Sequence, residues 1–77
     1  MTNSEFLVKL QDELEEENTL TLDTKFKELE GYDSMSILSI IVFIDENFNK
    51  KLNTQQFKDI STIQELKELI GLDNFED

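Results

Sequence analysis

Gly31-Tyr32-Asp33-Ser34-Met35-Ser36-Ile37-Leu38-Ser39-Ile40-Ile41-Val42-Phe43-Ile44-Asp45-Glu46-Asn47-Phe48 is the most apolar stretch of this sequence, and its period is helical. Asp33 is a favoured N-cap residue, so the spacing predicts a helix over Ser34–Phe48. At about 100° per residue, Ile37, Ile40, Ile41, Ile44 and Phe48 share one arc, wide enough for a buried stripe. Met35, Leu38 and Val42 fall on a neighbouring arc together with Asp45 and Glu46; Ser39 borders it, and Ser34 projects close to the same side. Phe43 falls on the otherwise polar side. Unpaired carboxylates are almost never fully buried, so the second arc reads as a wet apolar face rimmed by acids, a form that suits docking. Periodicity equally allows Leu38 and Val42 to be core beneath a loop.

Working outward, Asn3 or Ser4 is placed to cap a first helix, with Phe6, Leu7, Leu10 and Leu14 as its inner stripe. Glu13, Glu15, Glu16 and Glu17 oppose the dipole at a helix C-terminus, so that helix is expected to end there. The cluster reads as a solvated helix end, because it lacks the alternating ligands and central glycine of a calcium loop. Residues 17–33 form a long connection, expected to be ordered by Leu20, Leu22, Phe26 and Leu29. Beyond the central helix, a short element is expected over Thr54–Asp59, anchored by Phe57 and Ile60. Thr62 and Glu65 form a capping box that opens a last helix with Ile63, Leu66, Leu69 and Ile70 inward. Gly71 suits a left-handed C-terminal residue, and Phe75-Glu76-Asp77 is expected to fray. Proline is absent and no period-two alternation persists, so the expected class is all-α: a bundle of three main helices and one short one, with the long loop between helices one and two.

Seventy-seven residues are read as a single domain over 1–77, small enough to bury only about 60% of its extended surface. Composition excludes several chemistries. Without Cys there is no disulfide, thiolate nucleophile or zinc ribbon, and without His no serine triad or imidazole metal site; no metal ligands are assigned. All seven bases are Lys against 18 acids, a net charge of −11, which repels nucleic acid and favours a partner with a basic patch. The N-terminal stretch does not read as a signal peptide, and the run Ile40–Ile44 is too short for a membrane span, so a cytoplasmic monomer is the default expectation.

Gly31-Tyr32-Asp33-Ser34-Met35, opening an apolar helix after a long loop, resembles the acyl carrier protein family, which carries Asp-Ser-Leu or Asp-Ser-Met at this place. Leu22-Asp23 and Phe26 upstream, Asp45-Glu46-Asn47-Phe48, and Ile60-Ser61-Thr62-Ile63-Gln64-Glu65-Leu66 extend the likeness over nearly the whole chain. The resemblance implies a protein that is not itself an enzyme. A phosphopantetheinyl transferase would attach 4'-phosphopantetheine from coenzyme A to the Ser34 hydroxyl, next to Asp33. The arm's thiol would carry acyl or aminoacyl groups as thioesters to loading, acyltransferase and synthase enzymes. Met35, Leu38, Val42, Asp45 and Glu46 would meet basic patches on those enzymes. An interior lined by Phe6, Leu10, Phe26, Ile40, Ile44, Phe48, Ile60 and Ile63 is expected to part for a short acyl chain. Ser36 and Ser39 stand where the family frequently has acids, a departure that points toward a specialised pathway rather than bulk fatty acid or lipid biosynthesis. The alternative is a non-covalent acidic helical adaptor that keeps the fold and binds a basic surface without an arm.

Overall fold

The computed structural model describes residues 1–76. Among these residues three α-helices form, α1 over Asn3–Glu13, α2 over Ser34–Phe48 and α3 over Ile63–Ile70, with single 3-10 turns between them at Phe26–Glu28 and Gln56–Asp59 and one after α3 at Leu72–Asn74. The all-helical expectation therefore holds. The short helix expected over Thr54–Asp59 is reduced to one 3-10 turn, which must release the chain at Ile60 into extended backbone (φ −116°, ψ 155°). Phe57 is its buried anchor, whereas Ile60 is only half-buried.

Each helix starts with a reciprocal cap. Thr2, not Asn3 or Ser4, caps α1: its hydroxyl accepts from the Glu5 N–H at 3.1 Å, and Glu5 Oε1 accepts from the Thr2 N–H at 3.1 Å. Asp33 and Ser36 do the same for α2, and Thr62 and Glu65 for α3. The backbone N–H of Thr2 holds the Glu5 carboxyl below its ordinary value of 4.5, and the N–H groups of Ser61 and Thr62 do so for Glu65. A folded value below the unfolded one gives stability that is present above about pH 4.5 and is lost as pH falls through the folded value. Glu65→Gln is accordingly expected to flatten the loss of melting temperature between about pH 6 and about pH 3 relative to the parent. Parallel curves for the two proteins would show that the cap carboxylate contributes nothing.

The long connection is tied down by α3. Two of the N–H groups that a helix start leaves without partners, on Ile63 and Gln64, donate to the carbonyls of Thr24 (3.1 Å) and Leu22 (2.9 Å). Lys25 and Thr62 form an antiparallel bridge beside them. Leu20 (2% exposed) and Phe26 (0%) enter the core from this segment. The chain then turns at Gly31 (φ +86°) into Asp33. A Cβ at Gly31 would meet nothing within 4 Å, so the glycine serves backbone conformation rather than clearance.

The core joins Phe6 and Leu10 of α1, Ile40, Phe43 and Ile44 of α2, and Ile63, Leu66 and Ile70 of α3, with Leu52 and Phe57 from the last connection. Phe43 is buried against Phe6 (centroids 6.1 Å apart), although the wheel leaves it among polar residues. It lies about 60° past Ile40 on the wheel, where α1 covers the flank of α2. Asn49, at φ 54°, closes α2 in the left-handed region that asparagine tolerates. Gly71 has positive φ (+113°) but its ψ of 119° lies outside the left-handed helical basin expected for it.

The C-terminal segment is docked rather than frayed through residue 76. Phe75 stacks edge-on to Phe6 at 5.1 Å and lies 5.3 Å from Phe48, and the Glu76 N–H donates to the Met1 carbonyl at 3.1 Å. Lys67, a buried charged residue (4% exposed), sets its Nζ 4.8 Å from the Phe75 ring centroid. Asp77, the last residue of the expected fraying, lies outside the described residues.

Candidate functional site at the start of helix α2

Ser34 is the first residue of α2, and it is exposed. Asp33 before it adopts extended backbone, and its Oδ1 accepts the Ser36 N–H at 3.1 Å. Ser36 returns the bond, its Oγ accepting the Asp33 N–H at 3.2 Å. The serine that stands where acids are frequent in the resembled family is thus half of this helix's cap. Asp33 is engaged two residues beyond Ser34, so the N–H groups of Ser34 and Met35 and the Ser34 hydroxyl keep no protein partner among the described residues.

Along the same side of α2, Met35 (66% exposed), Leu38 (49%) and Val42 (54%) stand in solvent. This excludes the reading of Leu38 and Val42 as core beneath a loop. Glu46 is exposed and Asp45 half-exposed beside them. At the other end of this face, Glu13 and Glu15 of the α1 terminus line a cleft with Asp33, Met35, Ser36 and Ser39. Among the described residues, no group of three or more acids is arranged to hold a metal ion. No helix among them is long and apolar enough to cross a membrane.

A family model described as "Phosphopantetheine attachment site" matches residues 4–70. The chain belongs to the acyl carrier protein family. It is similar to acyl carrier protein 5, chloroplastic, of Arabidopsis thaliana, at 36% identity over 64 residues, 83% of this chain and 45% of that one. Acyl carrier protein 2, chloroplastic, of Spinacia oleracea is 34% identical over 83% of this chain and 48% of its own. The acyl carrier protein of Onion yellows phytoplasma (strain OY-M) is 31% identical over 49 residues, 64% of each chain. The chain spans about half the length of the chloroplastic relatives it matches. No solved structure matches it.

Acyl carrier proteins are non-catalytic carriers, and their domain takes a phosphopantetheine group. The donor set at the start of α2 suits the phosphate of such a group. Two unpaired backbone N–H groups lie at the positive end of a 15-residue helix, and the adjoining hydroxyl is exposed. The interior expected to part for an acyl chain is closed in this acyl carrier domain: Phe6, Leu10, Phe26, Ile40, Ile44 and Ile63 are all 0% exposed, while Phe48 and Ile60 are half-buried.

Two features of the site were not visible in the sequence. The α1 acids read there as a solvated helix end, yet the loop carries the start of α2 back to them. Lys27 and Lys58, far apart in sequence, line one groove together with Tyr32. Only the tyrosine immediately before Asp33-Ser34 hints at that groove.

Proposed function

We propose that Ser34 carries a 4'-phosphopantetheine arm and that the protein shuttles acyl or aminoacyl groups between partner enzymes in the cytoplasm. The observation that carries this reading is the exposed Ser34 hydroxyl in the first turn of α2, beside two backbone N–H groups without partners. Asp33 orders that turn as its cap, a role worth about 1 kcal/mol in typical helices, while leaving the hydroxyl free. When attached, the group supplies a thiol on a flexible stem, which this cysteine-free chain lacks, and acyl groups are held on it as thioesters. With no Cys or His of its own, the chain relies on its partners for nucleophile and base.

The partners in this reading are a phosphopantetheinyl transferase and acyl- or aminoacyl-loading and transferring enzymes. Met35, Leu38 and Val42 supply the apolar centre of the docking face, and Asp45 and Glu46 its acidic rim. Glu13 and Glu15 add acids at the end nearest Ser34, where α2 itself offers Ser36 and Ser39. That distribution is consistent with partners other than those of bulk fatty acid synthesis.

Intact-mass measurement after incubation with coenzyme A, Mg²⁺ and a broad-specificity transferase tests the assignment. The expected product is heavier by one phosphopantetheine, and Ser34→Ala shows no gain while Ser36→Ala, which keeps the target hydroxyl, still gains it. An unchanged parent mass, with the fold intact by circular dichroism, would favour the non-covalent adaptor.

A further inference from the structure

Met1 and Met35 are the only sulfur-bearing residues of this chain. Their surroundings are opposite. The Met1 side chain is 11% exposed and packs against the core. Met35 is 66% exposed, in the first turn of α2 and immediately after Ser34. It takes no part in the core, so the fold does not depend on its thioether. Leu38 and Val42 stand exposed along the same side of α2, and three large apolar side chains on one helix face make a patch rather than a scatter. Glu13, Glu15 and Asp33 line the cleft that Met35 enters from this face. Within the patch the thioether is distinct in its chemistry. Leu38 and Val42 are inert to peroxide, whereas a mild oxidant turns methionine from apolar to polar. The chain has no cysteine, so no thiolate of its own consumes the oxidant first.

We infer that Met35 is a reversible oxidation site through which peroxide controls access of partner enzymes to Ser34. The inference rests on the assignment of the arm to Ser34 and of the docking face to α2, and deepens it by naming a means of regulation. In the forward step the Met35 sulfur gives an electron pair to one oxygen of hydrogen peroxide, and the O–O bond breaks. That oxygen stays on sulfur as the sulfoxide, and the other leaves as water with both protons. Sulfur is oxidised by two electrons and the peroxide is reduced by two. In the return step a dithiol reductase removes the oxygen as water while its two thiols become one disulfide. The sulfoxide takes hydrocarbon contact away from the apolar centre of the docking face and adds an oxygen that docking must strip of water.

The chain without its arm, which carries no competing thiol, is treated with hydrogen peroxide, desalted and mapped by peptide mass. One added oxygen is expected on Met35 well before any on Met1. Loading by a phosphopantetheinyl transferase that never meets the peroxide is then timed by intact mass, each protein against its own untreated sample. The oxidised parent is expected to load about 5- to 30-fold more slowly at an unchanged melting temperature. Methionine sulfoxide reductases of both epimer specificities, supplied with a dithiol, are expected to restore the rate. Met35→Leu, treated alike, is expected to keep its own untreated rate. An oxidised parent that loads at the untreated rate, or oxygen that settles first on Met1, would overturn the inference while leaving the carrier assignment intact. So would an equal loss in Met35→Leu, which would trace the damage to another residue. Failure of the untreated parent to load at Ser34 is a separate result, read by mass before any comparison, and it would remove both.

Discussion

Phe6→Ala is expected to cost about 3–5 kcal/mol, a large part of what a domain of this size has to lose. Phe6 is 0% exposed and is the meeting point of three elements. Its ring lies 6.1 Å from Phe43, 6.0 Å from Phe48 and 5.1 Å from Phe75. Removing it deletes the hydrocarbon burial of one ring and its contacts with three others, and leaves a cavity that fixed helices cannot fill. Small domains hold on the order of 0.05–0.15 kcal/mol per residue, so a measurable unfolded fraction is expected at room temperature. Urea unfolding followed by circular dichroism measures this directly. A loss under about 1 kcal/mol would mean that Phe75 and Phe48 close over the gap.

The double charge reversal Asp45→Lys/Glu46→Lys is expected to slow transferase-catalysed loading of Ser34 about 10- to 100-fold at low ionic strength. Neither carboxylate makes a hydrogen bond or ion pair among the described residues, so folding stability should hardly change. Steering between a −11 domain and a basic patch weakens with salt, so the difference between variant and parent should shrink as salt is added. A companion variant, Leu38→Ala, removes an apolar group 49% exposed and should weaken docking at every salt concentration. Loading of the double variant at the parental rate in low salt would place the docking face elsewhere.

Much of this fold is legible because its signals are local. The bounds of α2, its Asp33 cap, and the Thr62–Glu65 box are all properties of residues within one turn of each other, and the structure reproduces them. The wheel groups Met35, Leu38 and Val42 on one arc but leaves open whether Leu38 and Val42 are core, and only the structure exposes them. What was not legible depends on residues distant in sequence. Phe43 looks misplaced on an isolated helix and is core only because α1 lies over it. Phe75 reads as part of a loose end, yet its ring and the buried Lys67 cover one another. Leu52 is buried at 7% exposure from a connection with no period of its own. The Thr2 cap was missed because Asn3 and Ser4 compete with it in sequence, and only the backbone at Thr2 is extended (φ −79°, ψ 161°). At the site, Ser34 and Asp33 could be singled out from sequence, whereas the cleft with the α1 acids and the lysine-lined groove required the path of the loop.

That path has a mechanical meaning. The carbonyls of Leu22 and Thr24 are held by the opening amides of α3, a helix only eight residues long. The segment leading to Ser34 is therefore moored to the shortest α-helix among the described residues. Under the proposed assignment, a transferase that engages Ser34 works on a segment held by α3 as well as by α2.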